Sequence, residues 1–259
     1  MLNNITISIY TTAYNLKADL FDYKKSLIRF FEFADEVVVA TNSIDDYAIL
    51  ESLKIPFLKI VLAEIPFTDY AFDGKLKNAA LQSCTSDFCI LLDLDEYIPR
   101  YQNLLWKQLC TFATETKIKA FLIPVLDLFK DHDHYKSIGY KWYLHQREGC
   151  FRGVVNFAKQ ENGKIDTSKS DTTELIDENG ELIPATYLVN PGLSAESQLE
   201  IISANPIFVV HEGWLNKDNR EKQNSFWKPH WENRSGKELI DKPLEEIYSE
   251  TARKHYLWI

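Results

Sequence analysis

No stretch of this 259-residue chain approaches the ~18 consecutive apolar residues that a membrane-spanning helix needs. The opening MLNNITISIYTTAYN has neither a basic start nor a continuous apolar run, so no signal peptide is expected there. Basic charge is also scarce. The 29 Lys and Arg stand against 38 Asp and Glu, a net charge of −9, which disfavours a non-specific grip on nucleic acid. Only four cysteines occur (Cys84, Cys89, Cys110, Cys150), with no CxxC pair, and they read as buried free thiols in a reducing cytoplasm. A cytoplasmic location is therefore expected, with peripheral association at a membrane left open. Internal repeats and true linkers are absent, so one continuous domain is expected, with residues 1–130 and 131–259 as its two halves. What remains is a composition of 45% hydrophobic and 26% charged residues, which is that of a soluble fold with a well-buried core.

The first half alternates two kinds of pattern. Residues 5–11 (ITISIYT), 37–41 (VVVAT), 57–62 and 88–92 read as strands, those at 37–41 and 88–92 as buried ones. Between them, residues 19–34 carry Leu20, Tyr23, Leu27, Phe30, Phe31 and Ala34 at helical spacing, with Lys24, Lys25 and Arg29 off that face. Helices are also expected near 47–53, from Asp73 as N-cap to about Cys84, and over 104–114. Residues 119–128 form a further strand, in which Pro124 suggests an edge or a bulge. This rhythm predicts an α/β fold with a mostly parallel sheet flanked by helices, followed by a C-terminal elaboration. In such sheets ligands bind beyond the carboxyl ends of the strands, where the loops at 11–15 and 42–46 also fall.

The second half has a different texture. Residues 131–156 are rich in His and aromatics and suit hairpins lining a cleft. Residues 160–181 are polar and acidic and read as a mobile excursion. A strand at 207–210 ends in His211-Glu212-Gly213-Trp214, and 243–255 reads as an amphipathic helix. Residues 214–237 interleave Trp214, Phe226, Trp227 and Trp231 with Lys217, Arg220, Lys222, Lys228, His230, Arg234 and Lys237. That mixture suits sugar stacking and diphosphate neutralisation, and equally an amphipathic helix with its rings packed inward.

The most informative four residues are Asp93-Leu94-Asp95-Glu96. They close the apolar run Phe88-Cys89-Ile90-Leu91-Leu92, and residues two apart in a strand point the same way. Asp93 and Asp95 then form a carboxylate pair at a strand end, costly unless a cation sits beside it. The plainer reading is an acidic turn. Magnesium or manganese held by one or two carboxylates usually completes its shell with substrate phosphates, so the pair suits a diphosphate. The helix before it presents Lys75 and Asn78 on one face, a cation and an amide for a phosphate or base; Lys75 and Lys77 equally suit a solvated face.

The run Gly74-Lys75-Leu76-Lys77-Asn78-Ala79-Ala80-Leu81, a spacer, then Asp87 through Ile98 resembles the GT-A glycosyltransferases, in particular family-2-like members with their "K/R-N-x-A-L … D-W-I-L-x-L-D-x-D-E" signature. The resemblance covers residues 5–130. It implies a Rossmann-like GT-A fold and a UDP-, GDP- or dTDP-sugar donor. It further implies that Asp93 contacts the donor ribose or the metal, and that Asp95 ligates a Mn²⁺ or Mg²⁺ bridging the diphosphate. Thr11, Thr12, Ala13 and Tyr14 would line the nucleotide pocket, with Asp45 as the acid that reads base or ribose. Many such enzymes take a further metal ligand from a late-strand His, a place His211 matches; the plainer reading is a hydrogen-bonded strand-end imidazole.

An inverting enzyme also needs a carboxylate base. Asp127, Asp131, Asp133, Glu148 and Glu212 lie in suitable regions, with Asp131 foremost because it opens the aromatic segment. The acceptor would be a hydroxyl of a glycan, a lipid-linked glycan or another molecule. A modified nucleic-acid base is the alternative, disfavoured by the acidic total. Two other classes compete: a DxD phosphatase with Asp93 as nucleophile, and a nucleotide- or sugar-binding module with no turnover.

Overall fold

The central β-branched runs of the first half, Ile7–Thr12 and Glu36–Thr41, pair side by side because they are buried on both faces and are covered by helices on both. The computed structural model describes residues 5–18, 22–69, 72–155, 172–235, 244–250, 252–257 and 259. In chain order the first half contains β1 (Ile7–Thr12), α1 (Tyr23–Phe33), β2 (Glu36–Thr41), α2 (Ile44–Ser52), β3 (Leu58–Leu62), α3 (Phe72–Gln82), β4 (Phe88–Leu91), β5 (Glu96–Tyr97), α4 (Asn103–Thr116) and β6 (Ala120–Phe129). The second half adds β7 (Asp131–Gln146), β8 (Phe151–Val155), β9 (Thr172–Ile176), β10 (Ala185–Tyr187), α5 (Ala195–Ala204), β11 (Val209–His211), α6 (Lys217–Ser235), α7 (Leu244–Ser249) and β12 (Arg253–Lys254).

The main sheet runs β3-β2-β1-β4-β7-β6-β11-β5, with β10 added beside β6 and β12 beside β7; β8 and β9 pair separately. Strands β3, β2, β1 and β4 are mutually parallel. β7 enters antiparallel between β4 and β6, and β11 returns parallel to β6. The sheet is thus mixed α/β and mostly parallel, and strands from both halves of the chain share it. On one face Leu27, Phe30, Phe33, Trp106, Leu109 and Ala113 of α1 and α4 pack on Ile7, Ile9, Val37, Val39 and Ile90. On the other, Phe72, Leu76 and Ala80 of α3 pack on Tyr10, Val38 and Cys89. All four cysteines are free and buried.

Several boundaries differ from the sequence reading for identifiable reasons. α2 starts at Ile44 rather than near 47, because the Ser43 hydroxyl caps the Asp46 N–H at 3.3 Å. Asp73 lies within the first turn of α3 and pairs with Lys77 at 2.9 Å instead of capping. Pro124 sits in an interior strand, not an edge. It falls where the neighbour of β6 changes from β10 (opposite residues 120–122) to β11 (opposite 125–127), a gap that needs no donor on that side. The C-terminal helix stops at Ser249, and Arg253–Lys254 pairs with β7 instead, so His255 is not on a helix. Leu20 of the first helix, residues 160–171 of the polar stretch and Lys237 lie outside the described residues, as do the side chains of Phe226, Trp227, His230, Trp231 and Arg234.

One buried polar chain crosses the sheet. The Arg152 Nε donates to the Tyr10 hydroxyl at 2.6 Å, and that hydroxyl lies 3.0 Å from His145 Nε2. His145 Nδ1 lies 2.8 Å from the Gln146 carbonyl, which can only accept, so Nδ1 carries the proton and Nε2 accepts from Tyr10. Burial, and then the Arg152 charge, pulls the imidazole down to about 3. Folded His145 is therefore neutral, while the unfolded chain takes up its proton near pH ~6.5. The associated stability is complete above that pH and declines as pH falls toward 3. Between pH 7 and 5 the wild type should lose about 2 kcal/mol more than His145→Gln, whose amide keeps one donor and one acceptor. Urea unfolding of both at the two pH values reads the difference.

Candidate functional site

β4 ends at Leu91 and β5 begins at Glu96, yet the two strands sit at opposite ends of the run β4-β7-β6-β11-β5. Residues 92–95 join those ends and close the run into a ring at the carboxyl edge of the sheet. Period-2 alternation then decides what lines the ring. Ile123, Val125 and Asp127 share one face of β6, with Val209 and His211 beside them on β11 and Lys141, Gly139 and Ser137 opposite on β7. The apolar members join the core, and Asp127, His211 and Lys141 cap it as a polar layer. Glu96, on β5, pairs in register with His211.

Four carboxylates meet here with three basic groups. Asp93 Oδ2 accepts from Lys141 Nζ at 2.9 Å, and its Oδ1 lies 3.7 Å from Lys77 Nζ. Glu96 accepts from Lys141 at 2.5 Å through one oxygen and from the Asp93 backbone N–H at 2.9 Å through the other. Asp95 Oδ2 lies 3.3 Å from His211 Nε2, while His211 Nδ1 lies 2.7 Å from Asp127 Oδ1. The Ser137 hydroxyl donates to Asp127 from behind. The Ser26 hydroxyl donates to the Leu94 carbonyl at 2.6 Å, tying α1 to the loop.

Burial pushes the Asp93 carboxyl up, but Lys141 and Lys77 outweigh it and hold the group far below the usual carboxylate range. Burial opposes ionisation of Asp95 too, and His211 reverses the balance. At Glu96, burial prevails over Lys141 and the carboxyl is raised. Burial lowers His211, yet Asp95 and the Asp127 hydrogen bond overcome it and raise the imidazole to about 10. Its contribution to stability is complete below ~6.5 and declines as pH rises from there toward about 10, the reverse of His145.

Among the described residues, no three carboxylate, imidazole or thiol groups converge in a metal-holding arrangement. Two do come close. Metal–ligand bonds of about 2.0–2.2 Å at right angles place neighbouring donor atoms about 3 Å apart, near the Asp95–His211 separation of 3.3 Å. Gly213 keeps that space open, since a Cβ there would lie 2.8 Å from Asp95 Oδ2 and against the His211 ring. A carboxylate oxygen and an imidazole nitrogen are both donors that divalent metals accept.

The other expected site residues are distributed around this centre. Thr11 and Thr12 end β1, buried, and the Ala13 N–H donates to the Ala40 carbonyl at 2.8 Å. Tyr14 packs edge-on against Phe72 at the start of α3. The loop is set by buried Asp46, which accepts from the N–H groups of Asn15 (2.8 Å) and Leu16 (2.9 Å). Asp45 points outward and pairs with Lys17 at 2.6 Å. Lys75 pairs with Asp69 at 2.5 Å, and the Asn78 side-chain oxygen accepts from the Arg152 N–H at 3.0 Å. It is Lys77, one turn on from Asp73, that reaches Asp93. Asp131 lies at the tip of the β6–β7 hairpin, half exposed, where it accepts from the Asp133 N–H and lies 2.6 Å from His134 Nδ1. Trp214 carries Lys136 at 3.7 Å and Arg220 at 4.1 Å from its ring centre.

Lys141, Asp127 as the partner of His211, and Gly213 are the members that sequence reasoning did not place. Asp127 left a signal, an acid inside the apolar strand Ala120–Phe129.

No protein-family model and no curated protein sequence matches the chain. Solved structures overlap with it at low similarity. TarS 1-349 of S. aureus in complex with UDP-GlcNAc matches at 23% identity over 49% of this chain, with a TM-score of 0.34. The chain spans only 35% of the length of that protein. TarS 1-349 in another structure matches at 16% over 94% of this chain and 69% of its own, with a TM-score of 0.39. The 4-diphosphocytidyl-2C-methyl-D-erythritol synthase of Anaerococcus prevotii matches at 12% over 57% and 72%, with a TM-score of 0.36. At TM-scores below 0.5 these overlaps establish no shared site or activity.

Gly213→Ala should cost about 1–3 kcal/mol, because the added methyl has to push aside a buried, paired carboxylate and imidazole. Denaturant unfolding at pH 7 checks it; a stability equal to wild type would show the Asp95–His211 contact to be loose.

Proposed function

We propose that the chain is a glycosyltransferase of the GT-A type, moving a sugar from a UDP-, GDP- or dTDP-linked donor to an acceptor hydroxyl. One observation carries this reading: Asp93 and Asp95 ride on the loop directly after a central strand, at the carboxyl edge of the α/β sheet, where Asp95 Oδ2 lies 3.3 Å from His211 Nε2. Ligands of such sheets bind at that edge. The signature shared by Gly74–Leu81 and Asp87–Ile98 supports the same assignment.

In this reading Asp95 Oδ2 and His211 Nε2 would hold a Mn²⁺ or Mg²⁺, with Asp93 as a further donor once it is released from Lys141. The metal supplies charge neutralisation for the leaving nucleoside diphosphate. Asp127, backed by Ser137, fixes the His211 ring so that Nε2 faces the site. Because His211 is protonated in the resting site, metal binding would release a proton. The 11–14 segment, pinned through Asp46, would flank the nucleotide, and Lys77 would add positive charge near the diphosphate. Asp131 is the candidate base toward an acceptor. The His134 hydrogen bond holds its carboxyl below the usual range, so it is ionised at neutral pH and only weakly basic.

A panel of UDP-, GDP- and dTDP-sugars with Mn²⁺ tests the proposal, scored by nucleoside-diphosphate release and by thermal shift. One donor should be turned over, and Asp95→Asn should reduce that turnover at least 100-fold while leaving the fold intact. Phosphate release from a simple phosphomonoester would favour the phosphatase, and donor binding with no turnover would favour the binding module. If no nucleotide or nucleotide-sugar binds with metal present, the proposal is wrong.

A further inference from the structure

We propose that Lys141 is a built-in counter-cation that a divalent metal has to displace from Asp93 before the site can close around it. The inference rests on the metal-site reading above and deepens it. Lys141 Nζ lies between two carboxylates, 2.9 Å from Asp93 Oδ2 and 2.5 Å from Glu96 Oε1. Glu96 is an anchor for this arrangement: its side chain is 1% exposed, and its other oxygen accepts from the Asp93 N–H. The same residue therefore touches the lysine through one oxygen and holds the loop that carries Asp93 through the other. The second Asp93 oxygen faces Lys77, which is itself held by Asp73.

The consequence is that the two aspartates face different cations. Asp93 faces ammonium groups while Asp95 faces His211, so among the described residues two donors, Asp95 and His211, converge in the resting site. A metal that gathers both aspartates must take Asp93 away from a lysine. Of the two lysines, Lys77 is 13% exposed and pinned by an i,i+4 pair, whereas Lys141 is 44% exposed on a flexible four-carbon stem. Lys141 is the one able to swing. Its ammonium, released at the rim of the ring, then meets the diphosphate of an incoming donor. Metal and donor binding are coupled through one side chain, since the metal frees the cation that the donor's anion recruits.

Mn²⁺ binding, read by the electron paramagnetic resonance of the free ion, is the direct test. Lys141→Gln should bind Mn²⁺ at least tenfold more tightly than wild type, Lys141→Arg should stay at the wild-type level, and Asp95→Asn should lose binding. A second measurement uses the wild type alone: the acylation rate of the Lys141 amine, followed by mass spectrometry, should rise severalfold at saturating Mn²⁺ while that of exposed Lys24 stays constant. If Lys141→Gln matches wild type while Asp95→Asn abolishes binding, or if Lys141 acylation does not respond to bound Mn²⁺, the lysine's role is overturned and the metal site stands. If no form binds Mn²⁺ at millimolar concentration, the metal site falls and the inference with it. Should Lys141→Gln not fold, the wild-type acylation decides.

Discussion

Everything at the carboxyl edge follows from the cost of crowding four carboxylates into one largely buried place. Asp93, Asp95, Glu96 and Asp127 cannot share such a volume without positive charge among them, since each like-charged neighbour within a few ångströms disfavours ionisation. Lys141, Lys77 and His211 supply that charge from β7, α3 and β11. Removing any one leaves a buried charge uncompensated, so the layer is held as a unit. In the proposed reading, that balance is what a metal and an anionic ligand would exchange into.

The sheet makes the crowding possible. Joining β4 to β5 through only residues 92–95 draws the far end of the strand run back over its own edge, and Asp93 and Asp95 ride on that closure. The surrounding elements hold the closure in place. Ser26 of α1 binds the Leu94 carbonyl, and the Asp95 carbonyl accepts from the Glu212 N–H at 2.7 Å. Arg29 of α1 lies 4.2 Å over the Tyr97 ring and 3.4 Å from the Glu212 carboxylate. Thus α1, which the sequence marks only as a helix with an apolar stripe, also clamps the strands on either side of the site.

Much of the fold was legible in the chain because local patterns decide it. The runs at 5–11, 37–41 and 88–92 are too apolar and too β-branched to be anything but buried strands, and each lies within one or two residues of its observed position. Where capping or pairing intervened, legibility declined. Ser43 drew a helix start forward, and β12 replaced the end of an expected helix by pairing with β7. Asp46 was passed over for Asp45 because nothing in the order of two adjacent acids says which one turns inward; that depends on the loop N–H groups of Asn15 and Leu16, thirty residues away.

Lys141 shows the limit most sharply. Counting by twos along β7 puts Lys141 on the same face as His145, which belongs to the opposite side of the sheet. The register slips between Phe121 and Leu122, so that an extra residue on β7 falls between the partners of those two, and everything before it turns over. That single bulge moves an ammonium from one face to the other, into contact with Asp93 and Glu96. By itself the sequence determined the alternation of strands and helices and the acidic pair at the end of β4, because those depend on side-chain pattern within a few residues. Only the tertiary structure decided which cations meet that pair, because helix packing, strand register and the closure of the ring bring Lys77, Lys141 and His211 to it from separate elements, two of them 48 and 116 positions away.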